Sequence, residues 1–257
     1  MRSRVFATSN RFNGTTNASR FMSMNATTRS FGYSAEVINT SLDLLFYERP
    51  LIERGEVVVG IDEVGRGALA GPLTVGAVAI TKIDLVPTGL TDSKALTPSR
   101  RAALIGPLEE WCTDWSLGSV SAEEIDLWGL RLALAVAANR ALTGLQVVPT
   151  HALIDGPLNL LHAPNAFNFA GATFPPLAFA NIEQTRIVSG DRLSAVIAAA
   201  SVMAKVHRDR KMTELAREFP HFGWDSNKGY GAPHHLQALL DYGPCSYHRQ
   251  TWRLPSK

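Results

Sequence analysis

Three times along this chain a short apolar run stops at an acid that lies close to glycine. Val57-Val58-Val59-Gly60-Ile61 leads into Asp62-Glu63, with Gly65-Arg66-Gly67 just beyond. His151-Ala152-Leu153-Ile154 leads into Asp155-Gly156, and Arg186-Ile187-Val188 passes through Ser189 into Gly190-Asp191. An uninterrupted β-branched run has the character of a strand buried on both faces. In α/β sheets, ligands gather at the ends of strands. One acid at such an end is ordinarily a turn residue. Three such ends carrying four acids restrict the chain to folds that bring several strand ends together.

The remaining pattern supplies the other elements. Gly71-Pro72 marks a turn, Leu73 to Ile80 reads as a second strand, and Gly118 to Val120 as a short third one. Thr97-Pro98 caps and opens a helix to about Trp111. Ser121-Ala122-Glu123-Glu124 is a capping box opening a helix to about Leu142, which gives Glu124 a structural task. Further helices are expected from Leu193 to Phe219 and from Pro233 to Leu240, with a short lead-in helix around Leu42 to Tyr47. An initial hairpin followed by alternating strands and helices predicts an α/β fold, a mixed sheet with helices on both faces. The proline-rich loop from Pro157 to Glu183 carries little periodicity.

Composition narrows the function. With 46% apolar and 19% charged residues the chain can bury a core. Its richest apolar stretch, Leu193 to Val206, falls short of the ~18 residues a membrane span needs and is broken by Ser194 and Ser201. No membrane association is expected. Cys112 and Cys245 lie in no C-x-x-C or Cys/His cluster, which argues against structural zinc and fits a reducing cytoplasm. Residues 1 to 35 hold five arginines and no acid. The rest therefore carries 20 basic and 23 acidic residues, so any nucleic-acid surface on it must be local. Residues 205 to 257, with nine Lys/Arg and five of the seven histidines, are the candidate. Residues 1 to 40 are expected to form a disordered basic extension, and 41 to 257 the catalytic domain. The extension is similar in composition to an organelle transit peptide; a basic tail is the simpler reading, and it does not have the form of a secretion signal.

Four carboxylates brought together repel one another and must take up protons or bind cations. Their hard oxygens suit Mg²⁺ or Mn²⁺, and a pair of such ions suits phosphodiester hydrolysis. Asp62 and Glu63 are neighbours on a strand and point to opposite faces unless the chain bends there. Taken alone they read equally well as the start of a solvated turn. Gly65, Arg66 and Gly67 offer bare backbone to a sugar hydroxyl and a guanidinium to a phosphate, although a lone G-R-G is also an ordinary turn. Ser93 and Lys94 lie in a polar loop suited to phosphate. Ser201, Lys205 and Arg208 share one helix face and are expected to hold a duplex phosphate. Lys205, fourteen residues past Asp191, lies about 20 Å along a helix, too far to reach the metals. Tyr230, between Gly229 and Gly231, is placed to stack on a sugar or base.

These segments resemble the type 2 ribonuclease H family, in its single-chain prokaryotic branch, ribonuclease HII. The resemblance rests on Gly60 to Gly67, Asp92-Ser93-Lys94-Ala95-Leu96, Ile154-Asp155-Gly156, Gly190-Asp191, Ala199 to Asp209, Lys228-Gly229-Tyr230-Gly231, Tyr242-Gly243-Pro244 and His248-Arg249. They occur in order across residues 57 to about 252. It implies a ribonuclease H-like fold with a five-stranded mixed sheet and a metal site of Asp62, Glu63, Asp155 and Asp191. It also implies that Gly65, Arg66 and Gly67 read a 2′-hydroxyl at an RNA–DNA junction, with Tyr230 under the neighbouring deoxyribose. The implied substrates are RNA/DNA hybrids and duplex DNA containing ribonucleotides. They would be cut 5′ to a ribonucleotide by a cytoplasmic monomer, leaving 3′-hydroxyl and 5′-phosphate ends. No clear C-terminal motif for docking to a replication clamp is legible. The chain departs from the family pattern at Ser189, where a lysine is common, at Cys245 and Trp252, and in its longer loop after Gly156. The competing readings are the sister ribonuclease HIII, a non-catalytic nucleic-acid-binding module, and another nuclease on the same fold, such as a junction resolvase.

Overall fold

The computed structural model describes residues 43–157, 159–161 and 177–256. The chain divides into a unit of residues 1–39 and a unit Thr40–Lys257; every described residue lies in the second. The expected N-terminal extension and most of the loop after Gly156 lie outside the described residues.

The helices are α1 (Arg49–Ile52), α2 (Pro98–Trp111), α3 (Ala122–Thr143), α4 (Gly190–Leu193), α5 (Ala195–Glu218), α6 (Trp224–Asn227) and α7 (Pro233–Tyr242). The strands are β1 (Val58–Val64), β2 (Leu73–Ile80), β3 (Asp114–Val120), β4 (His151–Asp155) and β5 (Glu183–Ile187). They form one five-stranded sheet in the order β3-β2-β1-β4-β5. β1, β2 and β3 are an antiparallel meander, while β4 and β5 run parallel to β1. This is the expected mixed sheet. In register, Ile61 lies beside Ile154, so Asp62 and Asp155 follow side by side, Asp62 still within β1 and Asp155 the last residue of β4.

Alternate β1 side chains enter different cores. Val59 and Ile61 pack with α3 residues such as Leu134 and Val136. Val58, with Val78 and Leu153, packs with α5 residues such as Val196 and Ala199. Three glycines let these helices press onto the sheet. A Cβ at Gly60 would lie 2.2 Å from the Val196 carbonyl carbon, one at Gly76 2.5 Å from Ala200 O, and one at Gly118 2.0 Å from Ala137 O.

Several boundaries differ from the sequence expectation. The lead-in helix is instead a single turn, α1, opening at Arg49-Pro50 where proline suits a first turn. β3 is longer than expected because it pairs with β2 from Leu73 to Ala79. The helix expected from Leu193 is broken at Ser194, which is extended (φ −134°, ψ 127°) and caps α5 by accepting from Ile197 N. The buried Glu48 carboxylate takes the Ser194 hydroxyl at 2.7 Å and the Val196 amide at 3.1 Å. α3 begins with the expected Ser121–Glu124 capping box but is interrupted at Gly129 (φ 73°), a backbone state that glycine adopts without steric cost.

A third cluster, including Met212, Leu215, Phe222, Trp224 and Leu239, joins the C-terminal segment to the end of α5. His235 and His248 are buried within this region. Burial and the neighbouring His235 push His248 down from 6.5 to about 4. Between these values the unfolded chain binds a proton that the folded chain refuses. The stability His248 contributes is therefore complete above about pH 6.5 and is lost as pH falls towards 4. His248→Gln cannot titrate. The stability gap between wild type and this variant should narrow by on the order of 2 kcal/mol over that window, read from urea unfolding at each pH.

Candidate active site

β1 stays regular through both of its acids, with Asp62 opposite Gly76 and Glu63 opposite Val75, and does not bend there as expected. The chain turns at Gly65 (φ 85°). A Cβ at Gly65 would lie 2.2 Å from Arg208 Nε, so both the φ and the space require glycine. Asp62 is buried, and its Oδ1 accepts from the Glu63 amide at 2.7 Å. Asp155, at the end of β4, accepts the Gly190 amide at 2.7 Å, which ties β4 to the start of α4. Asp191 lies in the first turn of α4, after Ser189 in the left-handed region (φ 58°), with Lys94 Nζ 3.8 Å from its Oδ2.

Electrostatics link all four carboxylates. Burial, with the charges of Glu63 and Asp155, pushes Asp62 up to about 7, although a hydrogen bond to Ser201 holds it down. Burial and Asp155 also raise Glu63, against the pull of Arg66 and Lys94. Burial raises Asp191, together with the charges of Asp92 and Asp155. Among the described residues no three Asp, Glu, His or Cys side chains meet as a finished metal cage. The charge of Asp155 nevertheless adds repulsion to the burial that raises Asp62, Glu63 and Asp191. A divalent cation relieves it, and four carboxylates are a hard donor set that fits Mg²⁺ or Mn²⁺.

The other candidates divide into two groups. Lys94 is 79% exposed, Arg66 49% exposed with its Nη1 3.6 Å from Glu63 Oε1, and Tyr230 stands at the surface. Gly67 is exposed, with nothing within 4 Å of an added Cβ. These residues are accessible to a ligand. Ser93 and Ser201 are buried and hydrogen-bonded to each other at 2.8 Å, and Ser201 also reaches Asp62. They support the acid and do not present an open phosphate face. Arg208 is fully buried and donates to Pro72 O, Lys228 O and Ala70 O. The surface phosphate contact expected of it is corrected to an internal clamp, because Ser201 and Arg208 lie on the inward face of α5. Lys205, mostly buried, is engaged with Asp209 at 2.8 Å, which in turn lies 3.8 Å from Arg101.

Two residues without an assigned role in the sequence belong to this region. Asp92 is buried within the Asp92-Ser93-Lys94 motif. Although burial opposes it, bonds from the Lys94 amide (2.8 Å) and Arg192 (3.3 Å) hold this carboxyl below its ordinary value. An acid two residues before a lysine reads as a turn cap, so only its buried proximity to Asp191 distinguishes it. Arg249, also fully buried, donates to Arg66 O (2.6 Å) and Gly65 O (2.5 Å). The His248-Arg249 pair was visible in the sequence, but no periodicity links residue 249 to residue 65.

A family model described as Ribonuclease HII matches residues 59–254. A ribonuclease HII of Streptomyces avermitilis is 44% identical over 197 residues, 77% of each chain. Among solved structures, the ribonuclease H2 of Pyrococcus horikoshii OT3 is 28% identical with a TM-score of 0.57, covering 77% of this chain and 94% of that one. The Archaeoglobus fulgidus structure of a PCNA:RNase HII complex is 25% identical with a TM-score of 0.60, covering 76% and 93%.

Proposed function

Because the chain belongs to the ribonuclease HII family, and so is a nuclease of the ribonuclease H type, we propose that it cuts on the 5′ side of a ribonucleotide in RNA/DNA hybrids and at single ribonucleotides within duplex DNA. The observation that carries this reading is the charge of Asp155 acting on Asp62, Glu63 and Asp191 together, with the exposed Arg66 3.6 Å from Glu63.

In this proposal the four carboxylates hold Mg²⁺ or Mn²⁺. A pair of such ions supplies stabilisation of the attacking and leaving oxygens of the phosphodiester. Ser201 keeps Asp62 in place, and the Gly190 amide fixes Asp155. Gly67, exposed and without a side chain to hold the sugar away, presents backbone to the 2′-hydroxyl, and the buried Gly65 shapes the turn that carries it. Arg66 and Lys94, both exposed, draw the phosphates flanking the cut. Tyr230 stacks against the adjoining deoxyribose. Among the described residues no helix is long and apolar enough to cross a membrane.

Duplex DNA holding one ribonucleotide, incubated with Mg²⁺ or with Mn²⁺, should give a single cut 5′ to it, leaving 3′-hydroxyl and 5′-phosphate ends on a sequencing gel. A chelator should abolish the cut. Cleavage confined to long RNA tracts would replace this reading with that of the sister enzyme. Binding without cleavage of either substrate would leave a binding module.

A further inference from the structure

The loop that presents Tyr230 is held carbonyl by carbonyl. Lys228 O accepts from Arg208 Nη1 at 2.9 Å, Gly229 O from the Leu69 and Ala70 amides at 2.8 and 3.2 Å, and Tyr230 O from His235 Nδ1 at 2.8 Å. A Cβ at Gly229 would lie 2.4 Å from Ala70 O, so the loop lies directly against the segment that follows Gly65–Gly67.

The third of these bonds has an internal support. His235 Nε2 receives Trp224 Nε1–H at 3.1 Å and faces His248 Nε2 at 3.0 Å. The partners dictate where the protons sit. A carbonyl only accepts, so His235 carries its proton on Nδ1. An indole N–H only donates, so His235 Nε2 is bare. His248 Nε2 must then carry a proton to bond it. His248 Nδ1 is left as the acceptor for the Cys245 amide at 3.1 Å, with the Cys245 thiol also 3.3 Å away. Both rings are buried and every ring nitrogen is used. Hydrogen bonds therefore run one way, from Cys245 through His248 and His235 to the carbonyl of Tyr230.

We infer that His235 and His248 are positioning residues for Tyr230, fixing the backbone from which its ring meets the substrate. The inference rests on the reading of Tyr230 as a stacking residue. Packing alone does not require this chain, because an apolar pair of similar volume would fill the same space. Tyr230 stays 36% exposed, with the Arg208 guanidinium over one face of its ring at 5.4 Å from the centroid, so the backbone is pinned while the side chain remains at the surface.

The test is kinetic. kcat and KM on duplex DNA with one ribonucleotide are measured for Tyr230→Ala, His235→Leu, His248→Leu, His248→Gln and the double variant Tyr230→Ala/His235→Leu, each checked for folding by circular dichroism. Tyr230→Ala should lower kcat/KM about tenfold, the scale of one lost stacking contact. His235→Leu should lower it comparably, mainly through KM. His248→Gln, which keeps a side-chain N–H, should recover most of what His248→Leu loses. The double variant should lose no more than Tyr230→Ala alone, a coupling that general destabilisation does not produce. A folded His235→Leu within twofold of wild type, or losses that multiply, would overturn the inference while leaving the stacking role intact. No loss in Tyr230→Ala would remove the stacking role and the inference with it. Should His235→Leu fail to fold, proton–nitrogen correlation spectra of the wild-type imidazoles decide. Protons on Nδ1 of His235 and Nε2 of His248 are expected, and the opposite tautomers overturn the chain.

Discussion

Asp155→Asn is expected to lower cleavage of a ribonucleotide-containing duplex about a thousandfold or more, while the metal-free protein melts at the same temperature as wild type or higher. The two halves have one cause. Asp155 contributes charge that raises Asp62, Glu63 and Asp191, so in the absence of a cation it is a source of repulsion. Asparagine has nearly the same shape, and its carbonyl oxygen can keep the 2.7 Å bond from the Gly190 amide, so the join between β4 and α4 survives. On the proposed reading, what disappears is a negative charge that would hold the cation and a hard oxygen ligand, worth several kcal/mol in the transition state. Gel-based rates with Mg²⁺ and with Mn²⁺, together with melting curves in chelator, check both parts. A variant that is inactive because it melts well below wild type would assign Asp155 to structure. One that is stable and active would remove it from the site.

Gly60→Ala carries the largest expected cost in stability, about 3 kcal/mol or more, or a melting temperature lower by about 10 °C. The added methyl would lie 2.2 Å from the Val196 carbonyl carbon, 2.4 Å from its oxygen and 2.5 Å from Ile197 N. All three are helix backbone and cannot rotate aside. α5 must lift from β1, and the same helix carries Ser201 against Asp62 and Arg208 beneath the Gly65 turn. Gly67→Ala is the matched control. Its methyl meets nothing within 4 Å, and stability should stay within about 0.5 kcal/mol of wild type. Thermal and urea unfolding of the two variants should therefore diverge sharply. Equal melting would mean that α5 does not lie against β1 at Gly60.

The contrast between these glycines shows what was legible in the chain. Asp155, at the end of β4, could be read because burial imposes an apolar run and glycine marks its end, whereas Asp62 lies two residues inside β1 and Asp191 sits in α4, beyond the polar and partly exposed β5. The capping box at Ser121 was equally plain, because its chemistry is local. Arg208 was not: spacing put it on the same helix face as Ser201 and Lys205, but spacing does not say whether that face looks outward or inward. The answer depends on Pro72, Ala70 and Lys228, which lie far from it in sequence. The break at Ser194 was missed because the apolar pattern continues across it, and the bond to Glu48 that accompanies it is long-range. The shortness of α1 and the interruption at Gly129 likewise depend on geometry that composition does not express.

The clamp formed by Arg249 bears on how the molecule is made. Domains tend to take shape from the N-terminal side during synthesis. A growing chain has all four acids once residue 191 has been added, but Arg249, which holds the Gly65 and Arg66 carbonyls, and His248, which reaches Tyr230 through His235, arrive more than fifty residues later. The carboxylates are thus complete well before the turns beside them are secured. A chain halted at Pro244 would carry every acid and neither anchor. Such a chain keeps the bonds from Arg208, Leu69 and Ala70 but loses those that tie these turns to residues 248 and 249, so its charge is intact and its grip loosened.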